Sequence, residues 1–473
     1  MHTTVQNLPL ELLAYIFHLV RDSQPCAKRD YSPGSTETRQ VYPAALSQVC
    51  SRWRSIAFST SALWSHIDIS TSIPLNQLHL DAIIDLHLTH ARQTPLELHV
   101  FDPMGYPVSS SHINKPLHEL IMRLASRTYS FNFDADRRYG PDTHHAILGT
   151  FFKGCVPGRL TRLMMRHDHD DWNSGFIKAK DDLDNDGRDL DLPTEQLESI
   201  LAGVSILHVT RWFPQWTSRA YHGLTELRLN GLFTRIKESD LVDILRSSPG
   251  LRIFELGLDT DNILPMGVPV TTVPLNNLEA VNVSLVLCEE LAALFRWFAP
   301  GSKPLQIAIR QGEHEYLRLK KQLGPFFSRS CVNRVYGRGL NFSHLVGLLE
   351  LLPHLQELVV SWMRLNPSFL NREEIIRRTL DRRLERLYIT QSSIHIEDVL
   401  ALISIPGCLV NTIILNQCML CRDGFDVPQD QEGVLLEGLK QEHPEINLII
   451  QYTEEPSPVE SWDVFASYAD SES

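Results

Sequence analysis

The chain has 473 residues, of which 43% are hydrophobic, and a formal net charge of −13. An acidic balance of this size argues against a general nucleic-acid binder, which needs a basic surface to meet phosphates. The eight cysteines follow no disulfide or metal framework, so we expect free thiols in the reducing cytoplasm or nucleus.

The first predicted element is an amphipathic helix that starts near Leu8. Two apolar stripes recur along it at helical spacing, Leu8, Leu12, Ile16 and Leu19 on one and Leu13, Phe17 and Val20 on the other. Two stripes require two neighbours: one is a second helix, and the other is either the rest of the chain or a separate protein. Glu11 and His18 interrupt the run, so neither a membrane span nor a signal peptide is expected, and we predict no membrane partner.

A second helix is predicted after Pro43, and residues 22–42 between the two helices form a polar insert that favours an exposed loop. One stripe of this helix contains Leu46, Val49, Cys50, Trp53, Ile56 and Ala57. The two helices carry more apolar side chains than so small a unit can bury within itself. We therefore interpret the pair as a docking surface for another protein.

This segment resembles the F-box, the adaptor-binding module of substrate receptors in Skp–cullin–F-box ubiquitin ligases, in a form found in large families of mushroom-forming fungi. The resemblance rests on Leu8, Pro9, Glu11, Leu12, Ile16, Phe17, Val49, Cys50, Trp53 and the closing Leu63-Trp64. It covers residues 1–64, roughly the first seventh of the chain. The resemblance implies that the residues from Leu8 to Trp53 bind a Skp-type adaptor and, through it, a cullin. The other interpretation is an ordinary helical cap on a larger domain.

Residues 65–452 repeat a unit of the form apolar-x-x-apolar-x-apolar. Clear examples are Leu160-Leu163-Met165, Val204-Leu207-Val209, Leu224-Leu227-Leu229, Leu251-Phe254-Leu256, Leu278-Val281-Val283, Leu355-Leu358-Val360, Leu384-Leu387-Ile389 and Val410-Ile413-Leu415. The period lies within the 20–29 residues of leucine-rich repeats. Helices are predicted between the units at residues 78–91, 117–125, 238–245, 288–298, 342–352, 372–384, 396–403 and 433–439.

Alternation of short strands and helices predicts an α/β fold in which each coil buries its apolar face against the next. The region is similar to the degenerate leucine-rich domains that follow F-boxes. We therefore predict a short helical F-box followed by an irregular leucine-rich-repeat horseshoe, with parallel strands on its concave side.

Residues 166–195 interrupt the repeats with an acidic insertion. The residues Asp182, Asp184, Asp186 and Gly187 match the start of a calcium-binding EF-hand loop, but Pro193 stands where the loop needs glutamate. The His167-Asp168-His169 sequence suggests a metal-dependent enzyme, although adjacent ligands on a loop rarely converge on one ion. A solvated loop is the favoured interpretation.

Other catalytic signals are weak. Cys418 and Cys421 form a lone C-x-x-C without the second pair that zinc requires, which favours two small apolar side chains in the turn after a repeat strand. The sequence has no phosphate-binding loop, dinucleotide fingerprint or nucleophile elbow. We expect a protein that is not an enzyme and needs no cofactor.

The outward positions of the predicted strands are candidate substrate contacts. In the early strands they are Arg228, Asn230, Glu255 and Asn282, and in the later strands they are Arg310, Arg334, Tyr336, Arg338, Trp362, Arg386 and Tyr388. Arginine and aromatic residues are the usual anchors of protein interfaces. An arginine cluster also favours an acidic or phosphorylated target segment.

Residues 453–473 form an acidic tail that we expect to be disordered. Trp462, Phe465 and Tyr468 are spaced so that a short docked helix is an alternative. The whole chain therefore predicts a non-catalytic substrate receptor that binds an adaptor and an unknown protein target. The competing hypothesis is a leucine-rich scaffold or inhibitor without a ligase partner, and a metal-dependent enzyme at the His167 region is a distant third.

Overall fold

A computed structural model gives the structure of the chain. It describes residues 8–23, 43–70, 77–101, 115–136, 141–168, 175–180, 189–286, 288–310, 323–363, 382–422, 425–427, 429–444, 446–451, 459 and 462. Most of the predicted polar insert, the EF-hand-like sequence and most of the acidic tail lie outside these residues. The chain divides into two compact units, Met1–His222 and Gly223–Ser473, and both are mixed α/β.

The first unit starts with three helices and continues with alternating strands and helices. Its helices are α1 (Leu10–Ser23), α2 (Ala44–Val49), α3 (Ser51–Ser59), α4 (Gln77–Ala91), α5 (Lys115–Ala125), α6 (Pro141–Gly154) and α7 (Thr194–Leu201). Its strands are β1 (His66–Ser70), β2 (Leu96–Phe101), β3 (Thr128–Asp136), β4 (Arg162–Asp168), β5 (Gly175–Ile177), β6 (Ile206–Thr210) and β7 (Trp212–Pro214). Strands β1, β2, β3, β4 and β6 are parallel neighbours in that order, and β5 pairs with β7.

The register of this sheet explains why the repeat unit needs its apolar positions. Five residues lie opposite one another on successive strands and all are buried: Ile67, Leu98, Phe131, Leu163 and Leu207. Parallel neighbours in chain order require a connection that crosses back along the sheet, and α4, α5, α6 and α7 provide it. The apolar ladder forms the core of the unit.

The second unit repeats this arrangement over more strands. Its main helices are α8 (Glu238–Ser247), α9 (Cys288–Phe295), α10 (Phe342–Leu351), α11 (Ile396–Ile403) and α12 (Gln429–Glu442). Its strands are β8 (Glu226–Lys237), β9 (Ile253–Asp261), β10 (Val273–Leu275), β11 (Ala280–Val283), β12 (Phe298–Pro300), β13 (Leu305–Arg310), β14 (Val332–Arg338), β15 (Glu357–Ser361), β16 (Arg382–Thr390), β17 (Ser393–His395), β18 (Cys408–Asn416), β19 (Met419–Arg422), β20 (Phe425–Asp426) and β21 (Asn447–Gln451).

Nine of these strands form consecutive parallel pairs, from β8 through β9, β11, β13, β14, β15, β16 and β18 to β21. Their buried ladder consists of Leu227, Phe254, Val281, Ile307, Val335, Leu358, Leu387, Ile413 and Leu448. The central apolar position of each predicted repeat unit therefore holds the sheet together.

A second feature recurs just after the strands. Gly339, Trp362, Gln391 and Gln417 all have positive φ, between 47° and 71°. The backbone N–H of Trp362 donates to Thr390 and that of Gln391 donates to Asn416, each across to the neighbouring strand. The same local turn thus ends successive coils, which shows a structural repeat even where the sequence repeat is weak.

The predicted elements differ from the observed ones in several places. The helix predicted at residues 396–403 is confirmed, whereas the one predicted at 288–298 ends at Phe295 because Phe298 starts a strand. Most of the helix predicted at 372–384 lies outside the described residues, and its last three residues belong to strand β16. Helices α6 and α7 and the short paired strands were not predicted.

Among the helices that the structure describes, none combines the length and the apolarity needed to cross a membrane.

Candidate functional site

Helix α1 separates its two apolar stripes as predicted. Leu13 and Phe17 are buried, while the opposite stripe stays open to solvent with Leu12, Tyr15, Ile16 and Leu19 exposed. Leu12 is 49% exposed and Tyr15 61% exposed. We call these four exposed residues the adaptor stripe. An exposed run of large apolar side chains at helical spacing is typical of a surface that buries itself against a partner helix.

The buried stripe of α1 packs against helix α3. The ring of Phe17 packs on Trp53 with 4.9 Å between the ring centroids. Arg52 donates a hydrogen bond to the Leu8 carbonyl, which holds the start of α1 beside the start of α3. These contacts occupy one side of α1 and leave the adaptor stripe on the other.

The second predicted helix is two helices, which corrects the expectation of one continuous stripe. Cys50 adopts an extended conformation, with φ −159° and ψ 171°, and its Sγ accepts a hydrogen bond from the backbone N–H of Trp53. The break turns α3 relative to α2, so that Ile56 and Ala57 are buried whereas Val49 is 60% exposed. Val49 and Cys50 therefore form an exposed corner between α2 and α3.

The three helices are tied to the first strand through Trp64. The indole is fully buried and donates to the Ala57 carbonyl at 2.8 Å. On α4, the rings of His87 and His90 pack on it at 5.3 and 4.7 Å, and burial lowers the pKa of both imidazoles. A hydrogen bond of 2.9 Å from Arg21 to the Ala62 carbonyl adds a second tie. The helical module is therefore continuous with the first strand and helix of the sheet.

The structure divides the nine predicted adaptor contacts into three groups. Pro9, Glu11, Leu12, Ile16, Val49 and Cys50 are exposed, and Leu8 and Trp53 are half-buried. Phe17 is fully buried, so it can only shape the surface from within. Leu10, Tyr15 and Leu19 are exposed as well but were not among the predicted adaptor contacts, although Leu19 had been placed on the same stripe as Leu12 and Ile16.

The later strands carry a second candidate surface on the sheet face opposite the apolar ladder. Tyr336, Val359 and Tyr388 lie opposite one another on β14, β15 and β16, and we call them the inner row. Two residues that follow the last strand, Val459 and Trp462, pack against this row. Trp462 is only 3% exposed and Val359 is completely buried. The chain therefore covers its own inner row.

A charged row runs beside the inner row, two positions earlier on each strand. It consists of Arg334, Glu357 and Arg386, and Glu357 forms ion pairs with both arginines, at 2.8 and 2.7 Å. The Arg334 guanidinium also lies 5.6 Å from the centre of the Trp462 ring. A hydrogen bond with the Tyr388 side chain, followed by the charge of Glu357, raises the pKa of Arg386.

The remaining predicted substrate contacts lie at the strand ends. Arg310, Arg338 and Trp362 are exposed, and the Arg338 guanidinium lies 6.0 Å from the centre of the Trp362 ring. The early strands differ from the prediction: Arg228, Glu255 and Asn282 are buried rather than exposed. Glu255 pairs with Arg228 at 2.7 Å and accepts from Asn230 at 2.6 Å, so this polar network holds neighbouring strands together.

Another polar cluster lies on β1 and β2. Asp68 is 3.0 Å from His66 and 3.1 Å from His99, and Glu97 is 3.3 Å from His66. Burial raises the pKa of Asp68, but the charge and hydrogen bonds of His66 and His99 outweigh it and hold the pKa well below its usual value. The hydrogen bond from His66 likewise lowers the pKa of Glu97. The cluster links the two strands electrostatically.

The described residues that were considered for metal or redox chemistry pack against the protein's own side chains and backbone. The His167 ring is buried and stacks on Trp212 at 4.5 Å, while Asp182, Asp184, Asp186 and Gly187 lie outside the described residues. Cys421 is buried on β19, and Cys418 donates its thiol to the Ile389 carbonyl at 3.1 Å. Within the described part of the chain, no group of three or more His, Cys, Asp or Glu side chains is arranged to hold a metal ion.

Comparison with known proteins identifies the helical module. The F-box-like family model matches residues 5–70, which span α1, α2, α3 and strand β1. No curated protein matches the chain. The segment that presents the adaptor stripe is thus an F-box-like domain.

Proposed function

We propose that this chain is a substrate receptor of a Skp–cullin–F-box ubiquitin ligase, in which α1, α2 and α3 bind a Skp-type adaptor and the repeats hold a target protein. The adaptor stripe carries this proposal, because it lies open within a segment that matches the F-box-like family. F-box domains generally bind Skp-type adaptors, and that property is the basis for extending the match to a partner.

The proposed role of the rest of the chain is to present a target, not to catalyse a reaction. Parallel strands in chain order in each unit, with the same positive-φ turn after β14, β15, β16 and β18, support a leucine-rich-repeat-like solenoid, which is the fold that the receptor needs. Continuity from Trp64 into α4 would keep the adaptor at a fixed place relative to the first strands. Such a receptor acts in the cytoplasm or nucleus, where the ligase partners are found.

Co-purification with a Skp-type adaptor tests the proposal. The wild-type chain should bind the adaptor. Leu12→Ser combined with Tyr15→Ser should weaken binding at least ~30-fold, because the variant lacks two apolar side chains that the adaptor would bury. A matched control is Leu409→Ser on β18, where the side chain is 62% exposed but lies far along the sequence from the adaptor stripe.

The control variant should bind the adaptor as well as the wild type. Equal adaptor binding by all three proteins would contradict the adaptor stripe as the contact surface. No adaptor binding by the wild type would contradict the receptor and favour a leucine-rich scaffold or inhibitor that works without a ligase.

A further inference from the structure

The inner row has the composition of a peptide-binding site. Two tyrosine rings flank Val359 on three neighbouring strands, and the charged row lies along one edge of them. Trp462 lies over this surface, with Val359, Tyr336 and Tyr388 packed against its cluster and the Arg334 guanidinium on its ring. A buried tryptophan with an arginine on its ring is a typical anchor of a protein–peptide interface.

The segment that covers the row is independent of the sheet. Val459 and Trp462 belong to no strand, and the backbone N–H of Trp462 donates to the Val459 carbonyl at 2.9 Å, which closes a local turn. The strand pairing of β14, β15 and β16 and the apolar ladder on their other face involve neither residue. Moving Val459 and Trp462 away from the inner row would therefore break none of these strand pairs.

The sequence around Trp462 is acidic, and the described surface near the inner row carries arginines. In the sequence Trp462 is surrounded by Glu454, Glu455, Glu460 and Asp463. The surface near the inner row offers Arg334 and Arg386, and Arg338 is exposed at the end of β14. Glu357 neutralises only part of this positive charge. A segment that carries both an aromatic anchor and acidic residues therefore fits the site better than an apolar segment.

We propose that the inner row is the target-binding site, and that it recognises an acidic segment of a partner protein bearing a tryptophan three residues after an aliphatic residue. The chain's own Val459–Trp462 segment occupies the site as an internal competitor. A target binds by displacing it. This inference rests on the proposed function, since it names the kind of target that the receptor holds.

A fluorescein-labelled peptide with the sequence of residues 453–466 is the probe. The full chain carrying Val459→Ala and Trp462→Ala should bind it, whereas the wild type should bind it on the order of tenfold more weakly, because the tethered segment competes at a high effective concentration. Adding Tyr388→Ala to the double variant should abolish binding. A peptide with alanine in place of its tryptophan should not bind, and one with amides in place of its four acidic residues near the tryptophan should bind more weakly.

Failure of the probe to bind the double variant, or equal binding to the wild type and the double variant, would overturn the inference. Retained affinity of the amide peptide would overturn its acidic preference. A second measurement needs no variant: excess unlabelled peptide should speed hydrogen exchange of the Trp462 backbone amide in the isotopically labelled wild type, because that amide donates to the Val459 carbonyl in the covered state. An unchanged rate would also overturn the inference. The Leu12→Ser and Tyr15→Ser chain should still bind the probe when it carries the tail substitutions, so failure at this site and failure to bind an adaptor are separate results.

Discussion

Two surfaces of this chain carry side chains of the kind that anchor protein interfaces, and they differ in what lies over them. The adaptor stripe on α1 is open, with Tyr15 61% exposed. The inner row on β14, β15 and β16 is covered by Trp462, a residue distant in sequence. Short-range sequence pattern can identify an exposed helical stripe, but it cannot show that a distant segment returns to cover a strand face. In the proposed function the open stripe binds the adaptor directly, whereas in the proposed target site Trp462 must first be displaced.

The largest expected effect on stability comes from a buried residue on the side of α1 opposite the adaptor stripe. Phe17→Ala should lower the free energy of unfolding of the helical module by about 3–5 kcal/mol, because it removes a fully buried ring and its contact with Trp53. Hydrogen exchange of the α1 amides measures this loss. The matched control is Ile16→Ala, one residue earlier and exposed. Similar exchange in the two variants would contradict the separation of a buried and an open stripe.

Acid should weaken the unit that carries the inner row. Burial lowers the pKa of His344 to about 4, below the value near 6.5 expected in the unfolded chain. The unfolded chain binds the proton first, so this contribution is complete above pH 6.5 and is lost as pH falls from 6.5 towards 4. The full loss corresponds to about 3 kcal/mol. Urea unfolding from pH 7 to pH 4 measures it.

The variant His344→Gln provides the control for the acid effect. His344 forms a capping box with Asn341 at the start of α10, and glutamine can accept the same backbone hydrogen bond without titrating. The stability of this variant should change less between pH 6.5 and pH 4 than that of the wild type. An identical pH profile would show that His344 does not cause the loss.

A smaller effect on stability is expected at Glu357, and it tests whether this residue competes with a bound peptide for the arginines of the charged row. Glu357→Gln removes one charge from two ion pairs whose arginines are partly exposed, so stability should fall by only about 1 kcal/mol. The affinity of the double variant for the acidic probe peptide should rise, because Arg334 and Arg386 lose their internal partner. The exposed neighbour Glu385→Gln is the control. A fall in affinity would mean that Glu357 orients the arginines instead of competing with the peptide.

The smallest expected effect concerns the open surface itself. Leu12→Ser with Tyr15→Ser should change the stability of the isolated chain by less than about 0.5 kcal/mol per site, since both side chains are exposed. Thermal unfolding of the full chain measures this. A large loss would indicate that part of the chain outside the described residues packs on the adaptor stripe.

The sequence predicted what depends on local periodicity. The ladder from Leu227 to Ile413 and helix α11 were predicted because apolar residues at regular spacing leave few ways to be buried. The break at Cys50 was missed because cysteine is an uncommon helix cap, and its thiol acts as one here. The burial of Arg228 and Glu255 was missed because alternation along a strand identifies a face but not what covers it.

The two candidate sites also differ in whether local sequence spacing or a distant contact determines them. The residues of the adaptor stripe could be predicted from one helix, whereas the cover on the inner row joins Trp462 to strands more than 70 residues earlier. The spacing of Trp462, Phe465 and Tyr468 suggested a short docked helix as the alternative to a disordered tail. Trp462 is buried, but Phe465 and Tyr468 lie outside the described residues, so the helix stays a prediction.

The left-handed turn that follows β14, β15, β16 and β18 has a consequence for Trp362. At this position φ is 57°, a conformation that a bulky side chain adopts only at a cost and that glycine adopts freely, as it does in the equivalent turn at Gly339. Trp362→Gly should therefore relax the backbone. The indole remains 53% exposed, and the Arg338 guanidinium lies 6.0 Å from the centre of its ring. Trp362 thus places a large, exposed aromatic side chain beside Arg338 at a backbone position that suits glycine better.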